Sequence, residues 1–206
     1  MNMRTFFSLS IWALLAFVML SFGSCGGNDT SFDNIVKERR CVRSYDATKK
    51  ISEDEVRTLI ATTQEAPSWA NVQSPRYYVA ISDEKLAEMR NAISGQNNKN
   101  VQDVPVIIVT TYKKRQSGFF DGQPQNEIGE GWGAYDTGLS NAYLILKAKE
   151  MGFDTLIMGD RDSEAIRKVL GIPSDETVMT VIALGYGTAK PARPGRKELR
   201  EIVKFF

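Results

Sequence analysis

Histidine is absent from this chain. That excludes Ser-His-Asp and Cys-His catalysis, His-ligated zinc, and imidazole as a general acid or base. Proton transfers are left to carboxylates, lysine, tyrosine, water or a cofactor, which favours cofactor-driven chemistry. Cysteine is nearly absent too, with only Cys25 and Cys41. Net charge is close to nil, with 26 Lys and Arg against 25 Asp and Glu. No global field therefore draws nucleic acid or an anionic membrane, and any anion site must be a local cluster of cations. Internal repeats and low-complexity stretches are missing. What remains, 206 residues with 42% hydrophobic and 25% charged, suits one globular domain with a real core.

Residues 1–24 read as a targeting segment, set apart from the fold. MNMRTFFSLS carries one charge, Arg4, and IWALLAFVMLSFG is apolar but short for a transmembrane helix. Ser24-Cys25-Gly26-Gly27 follows. Small residues before a cysteine, at the end of such a run, resemble a bacterial lipobox. The resemblance implies cleavage before Cys25, lipidation of Cys25, and export to the periplasmic or outer-membrane side of a bacterial membrane. An ordinary secretory signal and an uncleaved anchor are the alternatives. If Cys25 is acylated, Cys41 has no internal disulfide partner and is either buried or a reactive thiol. Residues 25–31 read as a polar tether and 32–206 as the folded domain.

The pattern within the domain predicts alternating helices and strands. FDNIVKERR reads as a first helix, with Asp33 as N-cap and Ile35 and Val36 on its buried side. ISEDEVRTLIATTQEA reads as a second, opened by a Ser52/Glu55 capping box and striped by Val56, Leu59, Ile60 and Thr63. RYYVAI, VPVIIVTTY, DTLIM and VMTVIALGY read as strands. SDEKLAEMRNAI and DSEAIRKVLGIP read as further helices. AYDTGLSNAYLILKAKEM is a long helix, apolar on nearly all sides, so burial on more than one face is expected. Residues 113–131 read as one long polar loop. The class is α/β or α+β, with a sheet covered by helices.

Three segments have chemical potential, each with a plain alternative. Arg39, Arg40 and Arg43 place three guanidinium groups in five residues. They suit a phosphate, or they suit the dipole at a helix C-terminus. Residues 66–75, Ala-Pro-Ser-Trp-Ala-Asn-Val-Gln-Ser-Pro, are dense in amide and hydroxyl groups. They suit the amide edge of a heterocycle, or ordinary turn chemistry. Arg193, Arg196 and Lys197 complete an anion site or form a solvated tail.

In order along the chain, ERRCVRSY, APSWANVQSP, LIMGD, VLGIP, IALGY and GRKELREIV resemble the motif set of the nitroreductase family of FMN enzymes. The resemblance implies a three-layer α-β-α sandwich with a mainly antiparallel central sheet, built as a homodimer with FMN at the interface. It implies that Arg39, Arg40, Cys41 and Arg43 hold the FMN phosphate and ribityl chain, with Cys41 standing where the family has serine. Pro67, Ser68, Asn71 and Gln73 would lie beside the flavin ring. Ile157, Met158, Gly159 and Asp160 would form a turn whose backbone amides face the flavin. Arg193 and Arg196 would supply a late phosphate contact, and helix 134–151 would be the central dimer helix.

The implied activity is electron transfer through flavin N5, from NAD(P)H or a protein donor to nitro-aromatic, quinone-like or related acceptors. The flavin carries that chemistry, so no catalytic side chain and no metal ligand is expected. Trp69, Trp132, Phe119 and Phe120 are candidates to line the acceptor side or to pack in the core or dimer. The expected partners are a second copy, a small planar acceptor and, through Cys25, a membrane, with no nucleic acid. A membrane-tethered flavin or ligand-binding protein without turnover is the competing reading.

Overall fold

The four longer strands follow the apolar and β-branched runs, and a short hairpin is added to them. They are β1 (Pro75–Ala80), β2 (Val106–Lys113), a two-residue hairpin of β3 (Phe119–Phe120) and β4 (Gln123–Pro124), β5 (Asp154–Met158) and β6 (Glu176–Gly185). The computed structural model describes residues 31–206 apart from Ser94. The expected leader, Cys25 and the tether up to residue 30 lie outside the described residues.

β1, β2, β6 and β5 form one sheet in that order, and every pairing between them is antiparallel. The register sets Tyr77 opposite Thr110, Thr110 opposite Thr180, and Met158 opposite Val181. A register shift falls between Thr110 and Thr111. The hairpin β3–β4 pairs apart from this sheet.

The helices are α1 (Phe32–Glu38), α2 (Glu53–Thr63), α3 (Asp83–Ala92), α4 (Gly95–Asn100), α5 (Gly131–Glu150), α6 (Ser163–Leu170) and α7 (Leu199–Ile202). β2 is buried on both faces, and successive residues feed opposite cores, as the two-residue period of a strand requires. Ile107 and Val109 pack with Leu86 and Met89 of α3 and Ile166 of α6. Val106 and Ile108 pack with Val56 and Leu59 of α2 and Leu144 and Ala148 of α5. The result is the expected three-layer α+β sandwich.

Local signals set the helix ends. Ser52 caps α2 through its side chain, and Glu55 returns the bond to the Ser52 N–H at 2.7 Å. These bonds hold the Glu55 carboxyl below its usual range. Asp162 caps α6 by accepting from Glu164 and Ala165 N–H, both at 3.0 Å.

Three expectations are corrected. α1 has no buried residue, and Asp33 lies in its first turn. Val36 is exposed and Ile35 only half-buried, because Phe32 and Ile35 face an open groove with Tyr143 and Leu146 of α5. The polar run 95–100 is a helix, α4, which its composition does not announce. Segment 113–131 is not a plain loop: it carries the hairpin, with Ser117 buried.

α5 differs most from its pattern. Its sheet-facing side carries Asp136, Thr137, Ser140 and Asn141, all buried, ahead of Leu144 and Ala148. Its outward side carries Tyr135 and Tyr143, both exposed, with half-buried Leu139 and Ala142 between them and half-buried Leu146 beyond. The polar groups are inside because they have partners there. Asn141 Nδ2 donates to Thr110 Oγ1 and Thr180 Oγ1, each at 3.3 Å.

Candidate cofactor site

The basic segment 39–43 follows α1 and lies along the free edge of β5. Cys41 bridges Thr155 in parallel, and Val42 N–H donates to Thr155 O at 3.0 Å. Buried Val42 and Tyr45 anchor it, with the Tyr45 hydroxyl donating to Val42 O at 2.9 Å. Burial, and then the charge of Asp154, raise the Tyr45 hydroxyl far above its ordinary value, so it stays a donor. Gly187 permits this close approach, since a Cβ there would meet Asp154 Oδ2 at 2.7 Å and Val42 Cγ1 at 2.9 Å. Cys41 is half-buried, and its Sγ accepts from Arg39 Nη1 at 3.9 Å.

The three guanidinium groups have no carboxylate partner among the described residues. Arg40 Nη1 donates to Lys37 O at 2.6 Å and Arg39 O at 2.7 Å, while its buried Nε has no partner. Arg43 Nη1 reaches Cys41 O at 3.3 Å. Burying part of an arginine without an anion is costly, and a phosphate would supply the missing acceptor.

Gly159 lies one residue past β5, four along from Thr155, or about 13 Å at strand rise. It is exposed, its φ is not left-handed, and a Cβ would meet nothing within 4 Å. Neither backbone nor packing therefore requires glycine there, whereas close approach of a flat ligand would. The turn is held from behind. Arg161 donates to Gly159 O at 2.6 Å and also to Val178 O, and Asn97 of α4 donates to Asp160 O at 3.1 Å. α4 is thus a neighbour of the site that the sequence reading missed, and the polar string GQNNKN was its only signal. Met158 keeps its side chain in the core, so it has only its backbone to offer, the part of it that the resemblance assigns to the turn.

Residues 66–73 lie elsewhere. They lead into β1, the opposite edge strand. A short 3-10 turn, Trp69–Asn71, carries Ala70 and Asn71 at φ of 45° and 56°, and Gln73 follows it at 51°. Left-handed backbone costs roughly 1–2 kcal/mol per non-glycine residue, so something must hold this loop. Ser68 Oγ accepts from Gln73 N–H at 3.0 Å, and Asp136 accepts from Trp69 N–H at 3.1 Å. Asn71 and Gln73 are exposed, with their side-chain amides together at 3.3 Å. Behind the loop is a cavity of about 310 Å³ lined by Ser68, Gln73, Arg76, Tyr77 and Ser140. The Tyr77 hydroxyl is buried there without a hydrogen-bond partner among the described residues.

One chain therefore brings together Arg39, Arg40, Cys41 and Arg43 with the β5 edge, and Pro67, Ser68, Asn71 and Gln73 with the β1 edge. Three strand spacings, roughly 14 Å, separate the edges, and buried β2 and β6 fill the gap. Thr188 N–H donates to Ser44 O at 3.1 Å, so the basic tail leaves from beside segment 39–43. Arg193 and Arg196 are exposed, and among the described residues Arg196 bonds only the carbonyls of Pro194 and Gly195. Trp132 packs on its own hairpin region, donating to Asn126 Oδ1 at 2.9 Å and meeting Tyr135 edge-on.

A model of the nitroreductase family matches residues 36–186. MhqN of Bacillus subtilis, which bears a provisional NAD(P)H nitroreductase name, is 24% identical over 84% of this chain and 98% of its own. A nitroreductase family protein from Streptococcus pneumoniae aligns with a TM-score of 0.75 at 22% identity, covering 85% of this chain and all of its own. A protein from Exiguobacterium sibiricum solved in complex with FMN aligns with a TM-score of 0.78 at 21% identity, covering 87% and 99%. These structural likenesses establish the fold.

Proposed function

The chain belongs to the nitroreductase family, and on that footing we propose an FMN-dependent oxidoreductase that works as a homodimer. It passes electrons from a nicotinamide or protein donor to small planar acceptors of nitro-aromatic or quinone-like type. The observation that carries the reading is the set of guanidinium groups at 39–43, without carboxylate partners, on the same strand edge as the open Gly159 turn. A phosphate at one end and a flat ring at the other match that edge.

FMN, when bound, supplies the redox chemistry. The chain's own residues bind and orient it. Arg39, Arg40 and Arg43 neutralise the phosphate, and the Gly159 turn offers backbone at close range. Asn71 and Gln73 offer amide donors and acceptors to the ring edge from the partner copy, because within one chain they lie on the far edge of the sheet. The outward side of α5, with Tyr135, Leu139, Ala142 and Tyr143, provides the apolar surface for that second copy. Leu199, Ile202, Phe205 and Phe206 of the tail are also exposed and would be covered in the same assembly.

The visible spectrum of the purified protein tests this. Flavin bands, bleached on rapid mixing with NADH or NADPH, are expected. A colourless protein that takes up no added FMN overturns the reading. Flavin bands that neither nucleotide bleaches point to a protein donor, as export would require. The leader and Cys25 support export and lipid anchoring, tested by radiolabelled palmitate incorporation that a Cys25→Ser variant should lose.

A further inference from the structure

Asp136 lies on the sheet-facing side of α5 and is 1% exposed. Among the described residues it has no cationic partner. Both its oxygens accept from Trp69 N–H, each at 3.1 Å, and Oδ2 also accepts from Ser117 Oγ at 2.6 Å. Ser117 Oγ in turn meets Ser74 Oγ at 2.7 Å. A carboxylate only accepts, so Ser117 spends its proton on Asp136, and the Ser74 hydroxyl must donate to Ser117. Two segments distant in sequence thus meet at this side chain. They are the stretch 69–74, with its left-handed turn and, through Ser117, the residue before β1, and the segment that carries the β3–β4 hairpin.

A buried carboxyl group with hydrogen-bond partners but no cation beside it is a poor device for stability, since the cost of taking it out of water offsets what its bonds return. It is a good device for fixing relative position. We propose that Asp136 is a positioning residue for the cofactor. It holds the Ser68–Gln73 loop in its strained form and ties that loop to the hairpin segment, so that ordering one orders the other. This rests on the FMN reading for its functional meaning, while the coupling of the two segments is a property of the chain itself.

The test is amide hydrogen exchange, with and without FMN, on the whole protein and on Asp136→Ala, Asp136→Asn and Ser117→Ala. Asp136→Ala should lose protection in both 68–74 and 114–125, and weaken FMN binding by about tenfold or more. Asp136→Asn retains an oxygen for Trp69 N–H and should recover most of the FMN affinity. Ser117→Ala should loosen the hairpin segment alone. In the parent, FMN should slow exchange in the hairpin as well as in the loop, and in Ser117→Ala only in the loop. Unchanged exchange at 68–74 in Asp136→Ala, or hairpin protection by FMN that survives Ser117→Ala, overturns the proposal. Should Asp136→Ala not fold, Ser117→Ala decides it through the second comparison. A parent protein that binds no FMN refutes the cofactor reading instead, and the exchange pattern without ligand still judges the coupling.

Discussion

Two inactive variants should rescue one another. Arg39→Ala with Arg43→Ala removes cations from the β5 edge, and Asn71→Ala with Gln73→Ala removes amides from the β1 edge. Each lost charge-assisted hydrogen bond costs about 1.5–3 kcal/mol, so the arginine variant should bind FMN at least about a hundredfold more weakly. The edges are roughly 14 Å apart across two buried strands, and in the proposed dimer each complete site would draw one edge from each copy. A two-fold dimer has two such sites. In a mixed dimer one site receives both damaged edges, and the other receives both intact ones. If equal amounts are co-refolded and pair at random, about half the dimers are mixed and about one site in four is intact. Flavin absorbance at saturating FMN, after gel filtration, counts these sites against the parent. Recovery near a quarter is expected. No recovery, with mixed dimers verified by differential tags, would refute the shared site, because a site within one chain is never restored by mixing.

Gly159→Val should leave the melting temperature within about 2 °C of the parent, since its Cβ position is open, yet weaken FMN binding about tenfold; calorimetry and titration read the two effects separately. Ser52→Ala should remove the capping box at a cost of about 1 kcal/mol, lowering Tm by roughly 2–4 °C. Leu144→Ala, at a fully buried position between α5 and the sheet, should cost about 2–5 kcal/mol in urea unfolding; a loss under 1 kcal/mol would mean that the packing around it is misread. Burial, and the hydrogen bond to Glu176, push the Tyr78 hydroxyl up to about 12. Its folded value lies above its unfolded one, so its contribution is full below pH 10 and is lost as pH rises through 12. Tyr78→Phe should flatten the decline in stability between those values, and an unchanged slope would count against the assigned partner.

The sheet was legible because VPVIIVTTY is largely β-branched and VMTVIALGY is a nearly continuous apolar run, as a strand buried on both faces requires. Ser52 and Glu55 marked the start of α2 correctly because capping is local chemistry. α4 escaped notice because GQNNKN has no apolar period, and its place is fixed by a tertiary bond from Asn97 to the Asp160 carbonyl. The buried face of α5 was misjudged for a related reason. Asp136 and Asn141 look like surface residues until their partners, Trp69 N–H and the Thr110–Thr180 pair, are supplied from distant strands and loops. The motif segments were visible as residues, but their placement on opposite edges was not, since strand order is not written in periodicity.

The outward face of α5 has a thermodynamic consequence. A helix that turns its polar residues inward and leaves Tyr135, Leu139, Ala142 and Tyr143 outside has deferred part of its apolar burial to an encounter. The free energy of that burial then enters through mass action, and stability acquires a dependence on protein concentration. Dilution alone should lower the unfolding temperature. In the cell, the amount of this chain produced would help to decide how much of it stays folded.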